Sequence, residues 1–189
     1  MKIKLNSRLS VKTIDLLAIT TAPSFTIPEG VWTIKAIAQT SLLNTNIYAQ
    51  NGDFFYLIQV WEVSNQITDL LLFQNIATIC PDTRQGWDEA RAEVGLRTLI
   101  LDDLVYDRSW DGSDRVALTS YTEQLTDLKG LRNIRNEYMI YKRETDPGAP
   151  INKPEFLMPI FETDDTAHTA RISYYVGYRL NPICLTIAG

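Results

Sequence analysis

Apolar and polar positions alternate along much of this chain, and alternation at period two is the signature of a strand with one buried face. "VWTIKAIAQ" (residues 31–39) places Trp32, Ile34, Ala36 and Ala38 on one side. "NIYAQ" and "FFYLIQVWEV" flank "NGD", and Asn51-Gly52 is a strong hairpin signal because both residue types tolerate positive φ. "QITDLLLFQNIATI" (66–79) is a further extended apolar run. "TLIL" and "LVYDRSW" read as two strands about an Asp102-Asp103 turn, and "DGSD" (111–114) turns the chain into "RVALTSYTEQL". "IRNEYMIYKRE", "EFLMPIFE", "ARISYYVGYRL" and "ICLTI" complete the series. Pro159 has no N–H to give a ladder, which places its strand at an edge or a bulge.

Helical spacing is scarce. "PDTRQGWDEARAEVG" (81–95) predicts a helix over about residues 84–94, capped by Asp82 or Thr83, with Trp87, Ala90 and Val94 on one face and Gly95 at its end. "SVKTIDLLAI" (10–19) fits a second helix or a strand, and "TEQLTDLKGLRN" has room for one helical turn. "TDPGAPINKP" (145–154) reads as a long hairpin connection. Regularly spaced strands without βαβ alternation predict a mainly β, antiparallel fold, sandwich or barrel-like, with one or two short helices. A length of 189 residues suits a single domain over 1–189.

Charge and composition narrow the function. The chain has 18 basic and 23 acidic residues, a net charge of −5. An acidic surface opposes nonspecific nucleic-acid binding, which needs cations for phosphates. The apolar stretch after the basic N-terminus is broken by Asp15, too short for a signal peptide, and no run reaches the length of a membrane-spanning helix. These features give the expectation of a cytoplasmic protein without a transmembrane segment; peripheral membrane association stays open.

Reactive chemistry has few carriers. His168 is the lone histidine, in the polar stretch "ETDDTAHTA", without a nucleophile-elbow motif to serve. "DDTAH" lacks the glycine and terminal glutamate of a calcium loop, and Cys80 and Cys184 lack zinc spacing, so no metal or cofactor is expected. Both cysteines read as buried small hydrophobes. Asp102-Asp103 and Asp164-Asp165 are accounted for as turn formers. No catalytic residue stands out, and the reading leans away from an enzyme.

What remains is a recurrent pairing of aromatic and arginine two residues apart: Tyr106, Arg108 and Trp110; Tyr141 and Arg143; Tyr175 and Arg179 through Gly177. Guanidinium groups stack on aromatic faces and also recognise carboxylates or phosphates. Tyr106, Arg108, Trp110, Tyr141 and Arg143 are therefore the candidate binding residues, with a structural role expected first. Asp107 and Glu144 adjoin the arginines in sequence but point to the opposite face of a strand, so the partners must come from neighbouring strands, a carboxylate such as Glu123 among them.

The same residues carry a family resemblance. "LLFQNIATICPDTRQGWDEA", "VYDRSW", "TEQL", "EYMIYKRE" with "EFLMPIFE", and "YYVGYRLNPICLTI" fall in an order that resembles the bacterial domain-of-unknown-function family 2491, the YjfK-like proteins. The matching positions are Phe73, Pro81, Trp87, Tyr106, Arg108, Trp110, Met139, Tyr141, Arg143, Glu144, Gly177 and Leu180. The resemblance implies a bacterial, cytosolic protein in a setting similar to that of membrane and envelope-stress operon products, and carries no activity. Together these readings lead to the expectation of a non-enzymatic binding or assembly module with a protein partner. The alternatives are an enzyme built on carboxylates and arginines, or a structural part of a phage or secretion assembly.

Overall fold

The computed structural model describes residues 3–110, 113–148 and 153–188. Among the described residues thirteen strands form one antiparallel sheet. They are β1 (Arg8–Val11), β2 (Trp32–Thr40), β3 (Thr45–Asn51), β4 (Phe54–Val63), β5 (Gln66–Ile79), β6 (Thr98–Leu101), β7 (Leu104–Arg108), β8 (Thr119–Asp127), β9 (Gly130–Tyr138), β10 (Tyr141–Glu144), β11 (Pro154–Asp164), β12 (Thr169–Leu180) and β13 (Leu185–Ala188), with one helix, α1 (Arg84–Val94). Eight strands close into a barrel in the order β2, β3, β4, β5, β12, β11, β9, β8 and back to β2. Among the described residues no helix is long and apolar enough to cross a membrane.

Turn chemistry sets the hairpins. Gly52 has φ +56°, and because Asn51 pairs with Phe54 the two-residue loop is Gly52-Asp53, one position later than the Asn-Gly signal suggests. Ser64-Asn65 and Asp102-Asp103 have positive φ at both positions, the mirror-image turn whose twist matches the flanking strands. The "TEQLTDLKGLRN" segment is hairpin rather than helix: Asp127 pairs with Gly130. Residues 10–19 hold the end of β1 and a short 3-10 turn at Ile14–Leu16. The 145–154 segment does join two antiparallel strands, β10 and β11; its residues 149–152, like Asp111 and Gly112 of the "DGSD" turn, lie outside the described residues.

Two strands change partners halfway, and this gives the barrel a second layer. The start of β2 pairs with β1, which continues to β13, whereas its end pairs with β8. The start of β11 pairs with β10, followed by β7 and β6, whereas its end pairs with β9. Pro159 falls in the gap between Leu157, the last partner of β10, and Ile160, the first partner of β9. Its missing N–H is thus lost where no neighbour needs it, so the proline sits at a seam inside the sheet instead of at an edge or bulge.

The outlying strands fold over one outer wall of the barrel together with α1 and residues 13–28. The main core lies there: Ile47, Tyr56, Ile58, Leu72, Val176 and Tyr178 on the wall meet Leu9, Leu16, Phe25, Val94, Leu99 and Tyr106 from the covering layer. α1 starts as expected, with the Thr83 hydroxyl accepting from Gly86 N. It packs Trp87 and the Arg91 guanidinium against Phe161 of β11. A bulge at Lys35 splits the alternation of β2: Trp32 and Ile34 join the outer core, but Ala36 and Ala38 face the lumen. Cys184 is buried, whereas Cys80 is exposed, because it follows β5 beyond its last paired residue.

Gly177 marks the tightest approach between strands. A Cβ there would overlap the Leu72 carbonyl oxygen and lie 2.5 Å from Phe73 Cδ1. Gly177→Ala is expected to cost about 2 kcal/mol or more through forced displacement of β5, read as a lowered midpoint in denaturant; an unchanged midpoint would contradict this packing.

Candidate functional site

The aromatic–arginine residues are placed in two groups. Tyr106 and Arg143 converge on Glu155, a wholly buried carboxylate at the start of β11. Arg143 is the register neighbour of Glu155; its Nε donates to Glu155 Oε1 over 2.6 Å, and its guanidinium lies 5.7 Å from the Tyr106 ring centre. Tyr106 OH donates to the same oxygen, while Tyr178 OH and Ala22 N donate to Oε2. One carboxylate thus receives donors from β7, β10, β12 and the 13–28 segment, and its arginine also bonds Thr20 O. Burial, reinforced by Glu155, holds the Tyr106 phenol well above its ordinary range, so it remains a neutral donor.

Arg108 and Tyr141, register partners on β7 and β10, close the other end of α1. Arg108 Nη1 donates to Gly95 O at 3.0 Å and Leu96 O at 3.3 Å. Tyr141 OH bonds Val94 O and Leu96 O at 2.5 and 2.9 Å, and burial pushes its pKa up to about 12. Val94 and Gly95 carry carbonyls that the helix C-terminus leaves without intrahelical partners, and Gly95 O also accepts from Val116 N. Trp110 lies beyond the end of β7; its half-exposed ring meets Tyr138, which in turn meets Tyr121. Each of the five side chains therefore has a partner within the fold, drawn from adjacent elements. Glu123 is not among those partners. His168 is exposed in the β11–β12 turn, with φ +52°.

The concave site is elsewhere, inside the barrel. Lumen-facing positions were hidden in the sequence because they alternate with exposed polar ones. Tyr121, Glu123 and Leu125 of β8 face Asn136, Ile134 and Arg132 of β9. Asn136 faces Glu162 of β11, and Glu162 faces Arg171 of β12. One end of the lumen is apolar, with Leu57, Phe73, Met158 and Ile160. The other opens through a cavity of about 490 Å³ lined by Tyr48, Glu123, Glu162 and Arg171 among others. That size is within the usual range of small-molecule sites, and barrel mouths are a common location for them.

The charges in this space are unequally compensated. Glu162 is held by Arg171 Nε and Nη2 at 2.7 and 3.0 Å and by Ser173 Oγ at 2.6 Å. Asp164 and Asp127 share Arg132 at the rim. Glu123, only 1% exposed, has neutral partners: Asn46 Nδ2 at 2.5 Å and Tyr48 OH at 2.9 Å. Burial raises its pKa above the ordinary carboxylate value. Burial likewise holds Tyr48, Tyr121 and Tyr175 well above the normal phenol range, so all three stay uncharged. Beside them, both polar side-chain atoms of Asn136 and the Tyr121 hydroxyl make no hydrogen bond. Among the described residues no cluster of His, Cys, Asp and Glu is arranged to hold a metal.

The arginines carry distinct stability expectations. Arg143→Ala strands the Glu155 carboxylate without its counter-ion and is expected to cost about 3–5 kcal/mol; Arg108→Ala removes the guanidinium bonds to Gly95 O, Leu96 O, Trp110 O and Ser113 O and is expected to cost about 1–3 kcal/mol. Equilibrium denaturation checks both, and a pair of variants as stable as the parent would refute this assignment.

No curated protein and no solved structure matches the chain, so neither the barrel nor the lumen inherits a role by comparison. A family model does match, over residues 1–186, and its description is "Protein of unknown function (DUF2491)". The match spans all eight barrel strands and the covering layer up to the middle of β13, and the chain belongs to the DUF2491 family.

Proposed function

We propose that the chain is a non-enzymatic binding module whose barrel lumen takes a small polar ligand. Asn136 carries this reading. It is 2% exposed, points into the lumen by its register with Glu162 and Tyr121, and its amide has no partner at either atom. Burying such a group without hydrogen bonds costs free energy, and a ligand that completes those bonds offsets the cost. An apolar lumen would have served stability better.

A catalytic reading has one observation in its favour: two carboxylates, Glu123 and Glu162, share one cavity in different electrostatic settings. Against it, both oxygens of Glu162 are bound by Arg171, and Glu123 accepts from Asn46 Nδ2 and from the Tyr48 hydroxyl, which lies between its two oxygens. Neither is poised to take or give a proton. The expected protein partner is supported by Ile100 and Val105, cross-strand neighbours on the β6–β7 hairpin that are both exposed, 72% and 55%. A bacterial, cytoplasmic setting belongs to the same proposal and rests on the family resemblance.

Asn136→Leu separates a binding position from a structural one. The variant is expected to be more stable than the parent by about 1 kcal/mol, since an unpaired buried amide is replaced by an apolar group of similar shape, and to lose any small molecule that native mass spectrometry finds retained by the parent. A variant that is destabilised would show that the Asn136 amide has partners in the fold, and would overturn the reading.

A further inference from the structure

From the chemistry of the same lumen we infer the class of ligand: a compact molecule carrying a protonated primary amine, bound against Glu123. This inference rests on the reading of the lumen as a binding site and adds what that site selects.

A primary ammonium has three N–H donors and no acceptor. Three acceptors follow one another on the lumen face of β8 and β9: the Glu123 carboxylate, which lines the cavity, and beside it Asn136 Oδ1 and the Tyr121 hydroxyl oxygen. Tyr121 and Asn136 are register partners across β8 and β9, and Glu123 is the next lumen-facing residue after Tyr121. Neither the Tyr121 hydroxyl nor the Asn136 side-chain amide has a hydrogen-bond partner, and both residues are at least nine-tenths buried, at 5% and 2% exposure.

Charge points the same way. Glu162, Asp164 and Asp127 each have an arginine. Glu123 is the buried lumen carboxylate whose partners, Asn46 and Tyr48, are both neutral. Lys129, Arg132 and Arg171 also line the cavity, but none bonds Glu123, and an anionic ligand placed against this carboxylate would be repelled by it. A neutral one would leave its charge uncompensated. A cation supplies the missing counter-charge, and three neutral tyrosines (Tyr48, Tyr121 and Tyr175) offer aromatic surface that favours it further. The Asn136 amide N–H₂ remains available for an oxygen on the ligand or for water. Arg171 at the mouth is already engaged by Glu162, so it does not compete for Glu123.

The test uses three probes of one size that differ in the head group: n-pentylammonium, n-pentanol and pentanoate, titrated calorimetrically into the full chain and into Glu123→Gln. The glutamine keeps an oxygen to accept from Asn46 and Tyr48, and a thermal melt confirms that the variant is folded. The parent is expected to bind the ammonium at least about tenfold more tightly than the alcohol, with pentanoate weakest. In Glu123→Gln the ammonium is expected to lose at least about tenfold in affinity while the alcohol is unchanged, as follows from removing one partner of a buried charge pair. Equal binding of ammonium and alcohol, or an ammonium affinity indifferent to Glu123→Gln, overturns the amine assignment and leaves the lumen as a site. Binding of none of the three overturns the lumen reading together with it.

Discussion

The buried carboxylate of Glu155 ties the two layers of this protein together. It sits on β11 at the place where that strand leaves the barrel to pair with β10, and it accepts from Arg143, Tyr106, Tyr178 and the backbone N–H of Ala22. A charge buried this deeply is tolerated only when its hydrogen-bonding capacity is filled, so the four donors must all be in place. They belong to four separate pieces of chain, and satisfying one carboxylate fixes the 13–28 segment, β7 and β10 onto the barrel wall. The register of the covering layer follows from that constraint.

The consequence is an inversion of the usual small barrel. Because the covering layer packs on the outer wall, the main apolar core lies outside the lumen. The lumen can then hold a polar set at its open end without forfeiting the burial that drives folding. Glu123, Glu162, Asn136 and Tyr121 occupy positions that, in a barrel stabilised from within, would be filled by aliphatic side chains. The apolar end of the lumen supplies a floor.

Much of this was legible in the sequence, and the failures share a cause. Hairpins and α1 were readable because their signals are local: Gly52, Asp102-Asp103, Thr83, and the unbroken 66–79 run that became β5. Partner switching was not readable. The seam at Pro159 and the bulge at Lys35 exist because of which strands meet, and single-strand alternation assigned Trp32 and Ala36 to one face when they serve opposite sides. Arg143 finds the expected cross-strand partner, Glu155, which could be named only once register was known; Arg108 does not, and bonds backbone carbonyls after α1 and after β7 instead. The lumen was the least visible feature. In "SYTEQL" Tyr121 and Leu125 mark one face as buried, but Glu123 sits between them on that face, and period two gives no sign that a glutamate is turned inward.

A high-resolution crystal structure of the full chain would show the lumen between Glu123 and Asn136 at the level of single water molecules. The expected result is an open, polar lumen in which ordered water or a bound small molecule contacts the Asn136 amide and the Tyr121 hydroxyl, with Glu123 bonded to Tyr48 and Asn46. A closed lumen, with the Asn136 amide bonded to Glu162 or Tyr121 and no space between them, would contradict it.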